Sequence, residues 1–130
     1  MLKLNRIHHI AIICSDYERS KTFYTEVLGF TIVREVYRDA RKSYKLDLEV
    51  NGLYQIELFS FPGPPPARPS QPEALGLRHL AFEVDSIEEA VFHLNEYEVI
   101  TEPIRIDETT GKRFTFFTDP DGLPLELYEK

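Results

Sequence analysis

Leu77-Arg78-His79-Leu80-Ala81-Phe82-Glu83-Val84 restarts a pattern already set by Ile7-His8-His9-Ile10-Ala11-Ile12-Ile13-Cys14. Each stretch alternates like a strand around a histidine. A second pair of segments matches as well: Ile56-Glu57-Leu58-Phe59 and Leu125-Glu126-Leu127-Tyr128. Glu57 follows His9 by 48 positions and Glu126 follows His79 by 47, so histidine and glutamate recur together at one period. Such self-similarity is the sequence mark of one structural unit built twice.

Working outward, each half reads as βαβββ. In the first, residues 7–13 form a strand with Ile7, His9, Ala11 and Ile13 on one face and His8, Ile10 and Ile12 on the other. Ser15 and Glu18 have capping-box spacing ahead of Tyr17, Ser20, Phe23, Tyr24, Val27 and Leu28, which recur at helical intervals until Gly29. Strands are expected near 30–38, 42–50 and 54–61, with Asn51-Gly52 as a tight turn. The second half has a strand at 77–84, a capping box at Ser86 and Glu89, and strands near 99–106, 112–118 and 124–129, with Asp121-Gly122 turning between the last two. Between the halves, residues 62–76 hold six of the nine prolines, a density that excludes helix or central strand. The expected organisation is one α+β domain over 1–130: a first half at about 5–61, a Pro-rich connector at 62–76 and a second half at 77–130.

Composition bounds the function. The 130 residues carry a net charge of −7, which disfavours a nucleic-acid partner that must be neutralised by Lys and Arg. No apolar run is long enough to span a membrane, and Met1–Arg6 lacks the layout of a signal peptide. A lone cysteine, Cys14, cannot form an internal disulfide, which fits a cytoplasmic location. Cys14 ends an apolar run and reads as a buried small hydrophobe.

Each half therefore sets one histidine and one glutamate among apolar neighbours. A carboxylate on the inner face of a strand is costly unless something positive pairs with it. Two imidazoles and two carboxylates, His9, Glu57, His79 and Glu126, suit a divalent cation with coordination positions left open. Taken one at a time, each histidine could be packed and hydrogen-bonded, and Glu57 could face solvent. His8 alternates to the face opposite His9 and reads as structural, and His93 reads as solvated.

These residues resemble the vicinal oxygen chelate superfamily, which includes glyoxalase I, methylmalonyl-CoA epimerase, extradiol dioxygenases and bleomycin-resistance proteins. The resemblance rests on His9 through Asp16, Ser20, Phe23-Tyr24 and Leu28-Gly29-Phe30. It continues with Arg78 through Phe82, Asp119-Pro120-Asp121-Gly122 and Leu125-Glu126-Leu127. It implies a half-open barrel built from the two βαβββ repeats, a paired-barrel homodimer, and one divalent metal ion (Zn, Ni, Co, Mn or Fe) on His9, Glu57, His79 and Glu126. Within the superfamily the ligand pattern resembles glyoxalase I. Extradiol dioxygenases lack a ligand at the Glu57 position, bleomycin-resistance proteins lack the set, and methylmalonyl-CoA epimerase usually carries glutamine there. The glyoxalase I likeness implies a lyase or isomerase acting on a small carbonyl compound through a metal-stabilised enediolate, with Glu126 as base and Glu57 as ligand or alternate base. Bacterial glyoxalase I holds glutathione with an arginine and an asparagine where this chain has Ile13 and Phe61, which argues against a glutathione adduct. The other readings are a sequestering protein of the bleomycin-resistance type and an acyl-CoA epimerase. Phe61, Arg68, Lys112 and Arg113 are the candidate substrate contacts, and Phe114 and Phe116 are candidates for the pocket wall.

Overall fold

A computed structural model describes residues 1–130, which divide into two compact units, Met1–Pro66 and Ala67–Lys130. Each unit carries one βαβββ repeat. The first contains β1 (Ile10–Cys14), α1 (Tyr17–Thr22), β2 (Thr31–Arg38), β3 (Ser43–Val50) and β4 (Leu53–Ser60). The second contains β5 (Leu80–Val84), α2 (Ile87–Glu96), β6 (Arg105–Ile106), β7 (Arg113–Thr118) and β8 (Pro124–Glu129). The strand orders are β1-β4-β3-β2 and β5-β8-β7-β6, two open four-stranded sheets of one topology. In each, the first strand lies parallel to the last and the remaining pairs are antiparallel. The repeat read from the sequence is thus a structural repeat.

In the first unit the apolar positions of alternating strands face α1. Ile12 and Cys14 of β1, Leu46 and Leu48 of β3, and Ile56 and Leu58 of β4 are all buried, as are Tyr17, Phe23, Tyr24 and Phe30. Burying such side chains contributes about 1.5–3 kcal/mol each, which fixes the strand parity and so decides what the other face carries. Cys14 is a buried thiol that donates to the Phe59 carbonyl at 3.3 Å, in line with its reading as a core residue. On the same face, the Tyr17 hydroxyl donates to Glu35 at 2.5 Å and its ring stacks on Tyr44 at 4.3 Å, pinning α1 to β2 and β3.

Several local readings are corrected. The cap of the first helix is Asp16, not Ser15: its carboxylate accepts from the Arg19 amide at 3.2 Å. The helix also widens into a π-helical turn over Phe23–Val27 before Gly29, which takes φ +76°. Ser86 caps α2 as expected, accepting from the Glu89 amide at 3.3 Å. The strand expected at 99–106 is reduced to Arg105–Ile106. Pro103 has no N–H to give to a ladder, and the preceding loop is tied to β7 at Glu102, whose amide reaches the Phe116 carbonyl at 2.9 Å. The first and fifth strands start at Ile10 and Leu80, so both histidines stand just outside them.

In the second unit Ile87 and Leu94 of α2, Leu125 and Leu127 of β8, and Thr115 and Phe117 of β7 are buried. The Thr115 hydroxyl is satisfied by the Glu102 carbonyl at 2.6 Å. No helix is long and apolar enough to cross a membrane.

Candidate functional site

The parallel pairing of first and last strands brings each histidine to its glutamate. Ala11 registers with Glu57 across β1 and β4, and Ala81 registers with Glu126 across β5 and β8. His9 and His79 lie two residues before those alanines, and alanine leaves the space above the glutamate open to the imidazole. The result is His9 Nε2 at 3.6 Å from Glu57 Oε2, and His79 Nε2 at 3.5 Å from Glu126 Oε2. Both separations exceed a good hydrogen bond. They come close to the spacing of two ligand atoms that each sit about 2.1 Å from one divalent ion, which is about 3–3.5 Å. The glutamates are nearly buried and the imidazoles half-exposed, so each pair opens on one side. No group of three or more potential ligands forms within either unit. Imidazole nitrogen and carboxylate oxygen are the donors a divalent ion takes, so each pair fits half of such a site.

The surroundings of the two pairs differ. Around Glu57 the sheet face is charged. The Tyr54 hydroxyl donates to Glu57 Oε2, and Lys45 Nζ lies 3.7 Å from the same oxygen. Burial first, then that hydrogen bond, pushes the Tyr54 phenol up, so it remains a donor. Asp47, almost fully buried, stands opposite Glu57 in the β3–β4 ladder. It accepts from Lys45 at 2.7 Å and from two nitrogens of Arg34 at 2.7 and 3.0 Å. Around Glu126 the same register positions are aromatic: Phe116 lies opposite Glu126, its ring edge-on to His79 at 5.0 Å, with Phe114 beside it. Arg105 from β6 covers both rings, at 5.0 and 5.7 Å.

His8 does not point away from His9. Its Nδ1 lies 2.9 Å from His9 Nδ1, and its ring meets Tyr54 at 5.6 Å. Strand alternation does not govern residues that precede the strand. The contact occupies Nδ1 of His9 and leaves Nε2 directed at Glu57, the arrangement in which an outer partner orients a metal-ligating imidazole. His93 is exposed, as expected.

The substrate contacts expected from sequence are placed unevenly. Arg113 alternates with Phe114 to the helix side of the sheet, where Glu88 and Glu129 hold it, so the structure does not bring it to Glu126. Arg68 donates to the carbonyls of Leu77 and Ala74 at 2.6 and 2.8 Å and to that of Leu75, closing its own loop. Lys112 is exposed, and Phe61 is half-buried just beyond β4. Sequence reading missed Lys45, Asp47, Arg34 and Tyr54. The polar parity of Lys45-Leu46-Asp47-Leu48 against Glu57 was the available signal, because polar residues alternating with buried leucines must share the face of the ligand pair.

The charged cluster sets an acid limit on stability. Burial by itself would raise the Asp47 carboxyl, but hydrogen bonds from Lys45 and Arg34 outweigh it and hold the group below its ordinary value. Glu35 is lowered first by Lys21, 2.7 Å away, then by Tyr17. Both carboxyls bind protons less readily folded than unfolded. Their stabilisation is complete above the unfolded values of about 3.9 for Asp and 4.3 for Glu, and is lost as the pH falls through the lower folded ones. The urea midpoint is therefore expected to hold from about pH 7 to 5 and drop steeply below about pH 4. A midpoint unchanged down to about pH 2.5 would contradict this placement of the two groups.

Comparison with known proteins matches this arrangement to one family. Residues 6–127 match the model of the Glyoxalase/Bleomycin resistance protein/Dioxygenase superfamily. The chain is 65% identical over 130 residues to the uncharacterized protein YaeR of Escherichia coli (strain K12), with 100% of each chain covered. It is 54% identical to a crystal structure of a glyoxalase family protein from Enterococcus faecalis, with a TM-score of 0.87 over 95% of this chain and 97% of that one. A 2-epi-5-epi-valiolone epimerase from an Actinomyces species is 27% identical, over 93% of this chain and 77% of its own. With the βαβββ repeat and its histidine–glutamate pairs in place, the chain belongs to the Glyoxalase/Bleomycin resistance protein/Dioxygenase superfamily.

Proposed function

We propose that the protein is a divalent-metal-dependent lyase or isomerase that moves a proton beside a carbonyl group of a small substrate. His9 and Glu57 together with His79 and Glu126 would supply the four ligands of one ion, drawn from one chain or from two chains of a homodimer. The observation that carries this reading is the repeated pair: imidazole and carboxylate at 3.6 and 3.5 Å in both units, too far apart for a hydrogen bond and spaced for a shared cation. Exposed apolar side chains at Leu2, Leu4, Ile7, Leu75 and Leu77 are surface that a homodimer would cover. The single cysteine, which leaves no internal disulfide, is compatible with a cytoplasmic setting.

A bound divalent ion would supply Lewis-acid stabilisation of the negative charge that grows on a carbonyl oxygen as the neighbouring carbon loses its proton. The residues divide the remaining work. Glu57 is held by Tyr54 and faced by Lys45, so its carboxylate is committed to position and charge. Glu126 lies against an aromatic wall with a half-exposed histidine, which leaves it the freer carboxylate to take a proton from one carbon and return it to the next. Phe114 and Phe116 exclude water on that side. The epimerase relative is named for a stereochemical inversion, a reaction that fits the same class of proton transfer.

The test is exchange of substrate α-protons with solvent deuterium, followed by NMR over 2-oxoaldehyde adducts and acyl-CoA epimers. Exchange or turnover that requires added Ni, Co, Zn or Mn and stops with a chelator is the expected result. Binding of these compounds with no exchange under any metal would instead favour a sequestering protein.

A further inference from the structure

We infer that Lys45, fixed by an Asp47 that Arg34 holds from its other oxygen, is an oxyanion-binding residue, and that the substrate is an acid whose carboxylate adjoins a carbonyl or hydroxyl oxygen. The inference rests on the metal reading above and narrows its substrate class. Asp47 is about 1% exposed, a costly place for a carboxylate, and both of its oxygens are taken by cations. Oδ1 accepts from Lys45 at 2.7 Å and Oδ2 from Arg34 at 2.7 and 3.0 Å. Lys45 and Arg34 face two carboxylates, Asp47 and Glu57, and these four charges balance; a divalent ion that takes Glu57, 3.7 Å from Lys45, would leave the surplus positive charge at Lys45.

The fold does not require this cluster. The second unit has the same strand order, with Phe116 opposite Glu126 where the first has Asp47 opposite Glu57, and Phe114 where it has Lys45. Those positions pack well with aromatic rings there, so the charges in the first unit answer to something other than sheet formation. A divalent ion on Glu57 would compete with Lys45 for Oε2 and leave a fixed, partly exposed ammonium next to the coordinated oxygens. A neutral carbonyl compound would leave Lys45 with Asp47 alone, an anion that Arg34 already neutralises, whereas a carboxylate beside the chelating oxygen would meet its charge. Asp47 then acts as a positioning residue, holding Lys45 in place without touching the substrate.

The experiment is calorimetric titration of oxalate, the simplest acid with vicinal oxygens, into the metal-loaded full-length protein. Lys45→Met is expected to weaken oxalate binding roughly 10- to 100-fold, the worth of a hydrogen bond to a charged group, and Lys45→Arg to restore most of it. Metal affinity should stay level or tighten, because a competing cation has left Glu57. Asp47→Asn should weaken oxalate in the same direction while sparing metal uptake, a split that general loss of structure would not produce. If Lys45→Met does not fold, the exposed Arg34→Met carries the test, with weaker oxalate binding expected. Wild-type oxalate affinity in Lys45→Met, or in Arg34→Met where that stands in, overturns the inference. A chain that takes up no metal overturns the metal reading instead. In such a chain, oxalate binding that still depends on Lys45 keeps the inference standing, and no oxalate binding ends it.

Discussion

Glu126→Gln is expected to abolish proton transfer while leaving the fold intact. Glu126 is half of a repeated histidine–glutamate pair, its Oε2 lies 3.5 Å from His79 Nε2, and its other neighbour across the ladder is Phe116. Glutamine keeps the shape and an oxygen that can still face a cation, but it cannot accept a proton from carbon. The loss should be about 10²- to 10⁴-fold in the rate of α-proton exchange, the usual contribution of a positioned general base. Thermal unfolding should move little, because the side chain makes no core contact that glutamine cannot replace. Full activity of Glu126→Gln on an identified substrate would falsify the assignment. A parallel Glu57→Gln variant separates the roles: loss of metal with loss of activity marks a ligand, and loss of exchange with metal retained marks a base.

The second large effect is on metal itself. His79→Ala removes one of the two imidazoles and leaves Glu126 without the nitrogen it faces, so the ion should be lost at micromolar protein concentration. His79 is half-exposed and lies outside β5, so secondary structure by circular dichroism should survive. His8→Ala makes an instructive companion, since it removes only the Nδ1 contact behind His9. If His79→Ala binds metal as the native chain does, the histidine–glutamate pairs are not the site.

Much of this was legible in the sequence because the chain states its unit twice. His9 with Glu57 and His79 with Glu126 could be found from spacing alone, and the parallel β1–β4 and β5–β8 registers explain why that spacing works. The Asn51-Gly52 turn was equally readable, both residues taking positive φ. The face that Lys45 and Asp47 occupy follows from their alternation with Leu46 and Leu48, but their register opposite Glu57 was not readable. A regular two-residue turn would continue the pairing of Val50 with Leu53 and Glu49 with Tyr54, and so set Asp47 opposite Ile56. A bulge between Leu48 and Glu49 shifts the ladder by one and brings Asp47 opposite Glu57. No local pattern in the sequence announces that bulge. His8 was misread for a related reason: alternation predicts faces only inside a strand, and β1 begins after both histidines. Arg113 was drawn as a substrate contact from its charge, yet its parity with the buried Thr115 and Phe117 commits it to the helix side.

The most direct measurement is the metal content of the purified protein by elemental analysis, as isolated and after incubation with Ni, Co, Zn or Mn followed by desalting. About one divalent ion per chain is expected, retained through desalting and removed by a strong chelator, since four nitrogen and oxygen ligands make one site. A chain that holds no ion as isolated and takes up none on addition would contradict this expectation, and the two histidine–glutamate pairs would then need another explanation.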